Sequence, residues 1–207
     1  MSGPISQVAP VDLAVSTTAI GSAVADIAEQ NKYMTVVKAP SLVARNLLVP
    51  PLNFSMVASG VYRSGYPGTK NYSFLRKLGL RTVVCLSDIE NLNADFYQTE
   101  GIRFIHMPIV GNKEPFTRIP EDVASEVLDT LLDRRNHPVL IHCNKGKHRV
   151  GCMIGCLRKA QKWSMIFLFD EYQRFSGTKV RILDQQFIEL FNIDTIAIDK
   201  RKQLAEW

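Results

Sequence analysis

The chain has 207 residues, of which 46% are hydrophobic and 22% charged, with a formal net charge of +5. These values suit one soluble globular domain that buries a real core without staples. No apolar run approaches the length of a transmembrane helix, and no basic-then-apolar N-terminus resembles a signal peptide, so the cytoplasm is the expected address and no membrane partner is expected.

Residues 1–48 are rich in Ala, Val, Ser and Thr, and read as a flexible N-terminal extension with one short helix over Ala19–Gln30. Residues 49–207 read as the folded domain. Gly60-Val61-Tyr62-Arg63-Ser64 is strand-like and runs into a Gly65-Tyr66-Pro67-Gly68 turn. Tyr72, Leu75 and Leu78 recur at helical spacing between Asn71 and Leu78, and Gly79 stops that helix. Arg81–Leu86 is a β-branched run suited to a buried strand. Leu92–Thr99 predicts a helix ending before Gly101, and Ile102–Met107 predicts another strand.

Pro120 fits the first position of an amphipathic helix, with Glu121 and Asp122 in its first turn and Val123, Val127, Leu128, Leu131 and Leu132 as one apolar stripe. Val139–His142 predicts a central strand. A buried helix begins near Val150, and two more follow near Ser164–Phe175 and Ile182–Asn192. This alternation argues for an α/β fold with a central, mainly parallel sheet flanked by helices.

The decisive segment is His142-Cys143-Asn144-Lys145-Gly146-Lys147-His148-Arg149, in which five residues separate a cysteine from an arginine. A strand, a tight loop and a helix start in that order make a cradle of inward-pointing N–H groups, with the helix N-terminus adding partial positive charge. Such a cradle fits a tetrahedral oxyanion. The amides, the helix start, Arg149, Lys145 and Lys147 all favour a Cys143 thiolate, the nucleophilic form of the residue. Arg149 has the planar fork that holds two oxygens of a phosphoryl group. In-line attack then gives a cysteinyl-phosphate, hydrolysed by water. Gly146 allows the sharp turn. His142 is expected to brace the loop by hydrogen bonding, whereas His148 suits substrate and solvent equally. A Walker-type nucleotide loop is excluded, because Ile141 stands where its first glycine belongs and His148 follows Lys147.

From His142 to Arg181, nine basic residues (Lys145, Lys147, Arg149, Arg158, Lys159, Lys162, Arg174, Lys179, Arg181) face two carboxylates, Asp170 and Glu171. That imbalance favours a polyanion, and for the outer six it is equally compatible with a solvated face. No aromatic-basic interleaving points to nucleic acid. The four cysteines (Cys85, Cys143, Cys152, Cys156) read as reduced thiols without zinc spacing. Cys152 and Cys156 suit small core positions. An activated Cys143 is expected to be peroxide-sensitive, with Cys85 or Cys152 as conceivable disulfide partners.

Cys143–Gly151, together with Arg158-Lys159 and Asp170-Glu171-Tyr172, resembles the plant-and-fungal atypical dual-specificity phosphatases. Gly60–Gly65 and Gly111-Asn112-Lys113-Glu114-Pro115 match the same family, so the likeness spans roughly residues 52–195. Its Val150 variant is most similar to the fungal branch named for oxidant-induced cell-cycle arrest. The resemblance implies a protein tyrosine phosphatase-like fold, no metal or cofactor, and removal of the β-phosphate from 5-diphosphoinositol phosphates, with possible phosphotyrosine-type activity. It implies Cys143 as nucleophile and Arg149 as phosphate clamp, Asn144, Lys145, Gly146, Lys147 and His148 as the pocket lining, and Asn112 and Lys113 as substrate contacts. Related phosphatase-fold subunits are conceivable partners.

Glu114 lies 29 positions before Cys143 on a loop bounded by Gly and Pro, and is the candidate general acid. Asp122 is already accounted for by helix-dipole complementarity. A phosphoanhydride leaves as phosphate and needs less protonation than an alkoxide, so a modest acid fits a pyrophosphate. Most phosphatases of this loop type carry Ser or Thr after the arginine, where this chain has Val150, and relatives often place an acidic residue at the position of Val110. Loss of that hydroxyl is expected to slow turnover. The competing functions are a phosphatase-fold polyphosphate-binding or scaffold subunit and, on a similar loop, sulfur transfer.

Overall fold

The computed structural model describes residues 47–89, 91–110 and 119–197. The chain divides into a unit of residues 1–45 and a second of residues 46–207, to which all the described residues belong. Five strands form one sheet in the order β1-β2-β5-β3-β4: β1 (Ser55–Ala58), β2 (Val61–Gly65), β3 (Thr82–Cys85), β4 (Arg103–His106) and β5 (Val139–Cys143). Only the β1–β2 pair is antiparallel. The central strand is therefore the one that ends on the cysteine, as its apolar sequence predicts.

Side chains alternate across a strand, and β5 uses both faces. Val139, Ile141 and Cys143 face one cluster, built with Val127, Leu128, Leu131 and Leu132 of α3 (Glu121–Leu132) and with Val150, Met153, Ile154 and Leu157 of α4 (His148–Ala160). Leu140 joins the opposite cluster with Val83, Phe96, Tyr97 and Leu75. Two short helices, α1 (Tyr72–Leu78) and α2 (Ala94–Thr99), cover that second face. Each fully buried aliphatic chain contributes about 1.5–3 kcal/mol, so burial on both faces fixes the strand's register firmly.

The predicted elements appear with small shifts. Gly79 takes the left-handed conformation (φ 61°) and ends α1 with its N–H on the Arg76 carbonyl. Pro120 stands just outside α3 rather than at its first position, because its ψ of 135° is extended while its carbonyl already accepts from Ala124. The last two helices are α5 (Met165–Ser176) and α6 (Ile182–Leu190). Strand β1 has no counterpart in the sequence reading: four residues at a sheet edge, with Met56 exposed, carry too little alternation to detect. Ala19–Gln30 lies outside the described residues. Among the described residues no helix is long and apolar enough to cross a membrane.

α4 closes on its neighbours through two notches. A Cβ at Gly151 would lie 2.9 Å from the Tyr172 ring of α5, and one at Gly155 would lie 2.5 Å from Ile188 of α6. Cys152 and Cys156 fill this same interior, and burial pushes both thiols up, away from reactivity.

His142 departs from its expected role. Both ring nitrogens are buried without a well-formed hydrogen bond, and the ring packs edge-on against Tyr66 at 5.4 Å. The even position on β5 turns it away from the loop and into the sheet's other face. Burial holds the imidazole down to about 4, from an ordinary 6.5, with the Cys143 backbone only partly offsetting it. A depressed histidine stabilises the fold above its unfolded value and loses that contribution as pH falls from 6.5 towards 4. Replacing it by asparagine removes the titration. The unfolding free energy of wild type relative to His142→Asn should therefore fall by ~2 kcal/mol between pH 7 and pH 5, part of the ~3 kcal/mol that is fully expressed only below pH 4. Urea melts at the two pH values measure this, and an unchanged difference would show that the ring is not held neutral.

Candidate active site

The loop Asn144–Lys147 joins β5 to α4, and its four carbonyls are all engaged. Asn144 accepts from the Tyr66 N–H at 3.0 Å and Lys147 from the Gly151 N–H at 2.8 Å. Lys145 accepts from Asn53 Nδ2 at 2.7 Å, and Gly146 from Arg63 Nη2 at 3.0 Å. A peptide unit is planar, with its N–H opposite its C=O. Tying these carbonyls to the surrounding scaffold therefore turns the N–H groups of Lys145, Gly146, Lys147 and His148 away from those donors, the orientation that an anion cradle needs. The cradle inferred from the sequence thus has an identifiable mechanical cause.

Close approach makes this possible. Gly146 has φ +66°, and a Cβ there would lie 2.5 Å from the backbone of Ser64 and Gly65. Gly65 sits opposite Cys143 in the parallel β2–β5 ladder, with its own missing Cβ 3.1 Å from Lys145. Only glycine fits at position 146, where backbone meets backbone.

Cys143 is 4% exposed, at the floor of a cavity of about 310 Å³ lined by Asn144, Lys145, Lys147, His148, Arg149, Lys179 and Arg181. Arg149 is positioned by its Nη1, which donates to the carbonyls of Leu86 (3.1 Å) and Ile109 (3.2 Å) and meets Asp88 at 3.4 Å. Those carbonyls follow β3 and β4, so the sheet's C-terminal edge orients the guanidinium towards the cavity. Five basic side chains and no carboxylate line that space among the described residues.

Two loop side chains have a role the sequence did not suggest. Lys147 Nζ donates to the Ser176 carbonyl at 3.1 Å, and His148 Nε2 meets the Lys179 carbonyl at 2.7 Å. Burial holds the His148 imidazole below its usual value, partly opposed by its bond to that carbonyl. These contacts tie residues 176–179 to the loop and bring Lys179 and Arg181 to the cavity wall. The remaining basic residues sort differently. Arg158 is buried against Glu171 (2.8 Å) and Trp163, Lys159 binds the carbonyls of Ile188 and Glu189 in the last turn of α6 and of Phe191 just after it, and Arg174 pairs with Asp170.

The structure brings together Cys143, Asn144, Lys145, Lys147, His148 and Arg149, with Gly146 forming the turn beneath them. Asn112, Lys113 and Glu114 lie outside the described residues. The sequence reading missed Asn53, Arg63, Tyr66 and Asp88, which support the loop and arginine from far upstream. All four cysteines are free and buried.

The profile of the Tyrosine phosphatase family matches residues 48–207. The inositol diphosphatase DSP1 of Oryza sativa subsp. japonica is 53% identical over 152 residues, covering 72% of this chain and 68% of that protein. The inositol diphosphatase SIW14 of Saccharomyces cerevisiae is 43% identical over 168 residues, covering 80% of this chain and 60% of its own. The crystal structure of the core catalytic domain of the PP-IP phosphatase SIW14 superposes with a TM-score of 0.68 at 43% identity, over 72% of this chain and 90% of that one. Pseudomonas aeruginosa TpbA, 23% identical with a TM-score of 0.55, shares the fold. A profile spanning the whole cradle-bearing domain, joined to this loop geometry, places the chain in the tyrosine phosphatase family.

Proposed function

We propose that the chain is a cysteine-dependent phosphatase that removes the β-phosphate of inositol pyrophosphates, with the 5-diphospho group as its target. The observation that carries this reading is the cavity above Cys143, whose wall holds Lys145, Lys147, Arg149, Lys179 and Arg181. A single phosphoester needs one charged clamp, whereas five basic groups suit a ring crowded with phosphates. The names of the similar plant and yeast proteins support the same substrate class.

In this mechanism the Cys143 sulfur attacks the β-phosphorus in line, and the bond to the bridging oxygen breaks towards the inositol polyphosphate. The loop N–H groups and the Arg149 fork hold the three equatorial oxygens as charge shifts onto them. Water then attacks the cysteinyl-phosphate, releasing phosphate and the thiolate. The departing group is a phosphate and needs little protonation, a role assigned to Glu114.

Turnover of 5-diphosphoinositol pentakisphosphate should vanish in Cys143→Ser and fall at least ~10²-fold in Arg149→Lys, which loses the bidentate fork. Phosphate release by Cys143→Ser at the wild-type rate would defeat the reading, and tight binding of the ligand by wild type without hydrolysis would favour the binding-subunit alternative.

Val150 is fully buried in the cluster that contains Cys143. Threonine there restores a hydroxyl beside the sulfur, so Val150→Thr should raise kcat several-fold while lowering stability by about 1–3 kcal/mol for the buried hydroxyl. Unchanged kcat would remove hydroxyl loss as a limit on turnover.

The double variant Lys179→Met/Arg181→Met should raise KM for the inositol pyrophosphate about tenfold or more and leave p-nitrophenyl phosphate hydrolysis within about twofold, since only the larger anion reaches that wall. Equal losses on both substrates would show that these residues serve the fold instead.

A further inference from the structure

Among the described residues Arg63 is the largest fully buried side chain, at 1% exposure, and it lies directly behind the loop. It stands on β2 opposite Ile141, two residues before Gly65 reaches Cys143, and so shares the face to which Cys143 points. Its Nη2 donates to the Gly146 carbonyl at 3.0 Å. Its guanidinium lies 3.6 Å from the Phe175 ring centre. Glu171 is 3.8 Å from Nη1, but that carboxylate makes its short contact, 2.8 Å, to Arg158. Arg63 Nε has no hydrogen-bond partner.

A buried cation this poorly neutralised is a costly element for a fold to keep. Burial lowers its pKa to about 10, partly offset by Glu171 and by Cys143, so it remains charged at neutral pH. A methionine of similar length would fill the same space against Phe175 without that cost. What methionine cannot do is hold the Gly146 carbonyl. Of the four outward loop carbonyls, this one belongs to the peptide whose N–H is that of Lys147, at the middle of the cradle. The other three are held by neutral donors.

We infer that Arg63 is a positioning residue for phosphoryl transfer: its buried guanidinium pins the Gly146 carbonyl outward and so aims the Lys147 N–H at the transferring phosphoryl group. This rests on the phosphatase reading of the site but not on the inositol substrate. The same fork faces the loop from behind as Arg149 faces it from the cavity. Catalytic geometry is thus gripped between two guanidiniums, one touching substrate and one acting through backbone.

The test uses the full chain with p-nitrophenyl phosphate as substrate and vanadate as the oxyanion probe, well below the melting temperature of each variant. Arg63→Met should lower kcat roughly 10²-fold and weaken vanadate inhibition by a similar factor, with KM changed less than about threefold. Arg63→Lys, which keeps one donor and the charge, should recover part of both losses. Leu75→Ala, a core truncation in the cluster on the opposite face of the sheet from Cys143, serves as the stability control and should lose melting temperature with kcat retained. The inference is overturned if folded Arg63→Met keeps wild-type kcat and vanadate affinity, or if its loss of kcat matches that of Leu75→Ala at equal loss of melting temperature. Should Arg63→Met fail to fold, Arg63→Lys decides: a several-fold fall in kcat with weakened vanadate supports the assignment, and wild-type values in both overturn it. Wild type that hydrolyses p-nitrophenyl phosphate but no inositol pyrophosphate would defeat the substrate reading alone.

Discussion

Everything at this site depends on four consecutive peptide carbonyls being held away from Cys143. Amide planarity converts that restraint into N–H groups turned away from the scaffold donors, as an anion cradle requires. The donors that impose it come from Asn53, Arg63, Tyr66 and Gly151, three of them about eighty to ninety residues upstream of the loop. The loop sequence alone does not make a phosphate cradle. It becomes one because the β2–β5 register sets Gly65 against Cys143 and lets Gly146 press onto the β2 backbone. A slip of one residue would turn Cys143 to the opposite face and put a side chain where only glycine fits.

The second organising feature is the distribution of positive charge. The basic residues after the loop divide by structural context into three uses. Arg158 and Lys159 are internal fasteners, bound to Glu171 and to the carbonyls at the C-terminal end of α6. Lys147 and His148 tether residues 176–179. Lys145, Arg149, Lys179 and Arg181 remain to face the cavity beside Lys147. Charges facing a concave site focus its potential far more than the same charges spread over a convex surface. A modest net charge therefore coexists with a strongly electropositive pocket.

How much of this was legible in the sequence follows from the range of each signal. The cysteine loop, the glycine inside it and the apolar run before it are local, and they identified the central strand, the cradle and the cysteine–arginine pair. Helix α3 was visible through its 3.6-residue stripe and acidic first turn. Edge strand β1 was not, since four residues with only Val57 buried carry too little pattern to distinguish a strand from a loop. The tertiary partners were also hidden. Nothing in Gly60–Gly65 says that Arg63 points at Gly146 eighty-three positions later. His142 illustrates the opposite error. Its neighbour in sequence is the nucleophile, which suggested a bracing bond, but strand alternation sends adjacent residues to opposite faces and buried it beside Tyr66.

Val150 shows how the same position serves folding and chemistry. It lies in the first turn of α4 with no exposure, in the cluster that includes Cys143, Ile141 and Met153. A hydroxyl at this point that reaches the sulfur makes a bond to a charged group, worth about 1.5–3 kcal/mol while the sulfur is ionised. The methyl it replaces contributes about 0.8 kcal/mol of apolar burial, and burying a hydroxyl has its own cost. The two options therefore act on different states. The hydroxyl favours the ionised sulfur during turnover, whereas the methyl favours the packed helix at all times. The loop carbonyls, Arg149 and the cavity wall are untouched by that exchange, so oxyanion recognition and the rate of intermediate breakdown can vary independently on this scaffold.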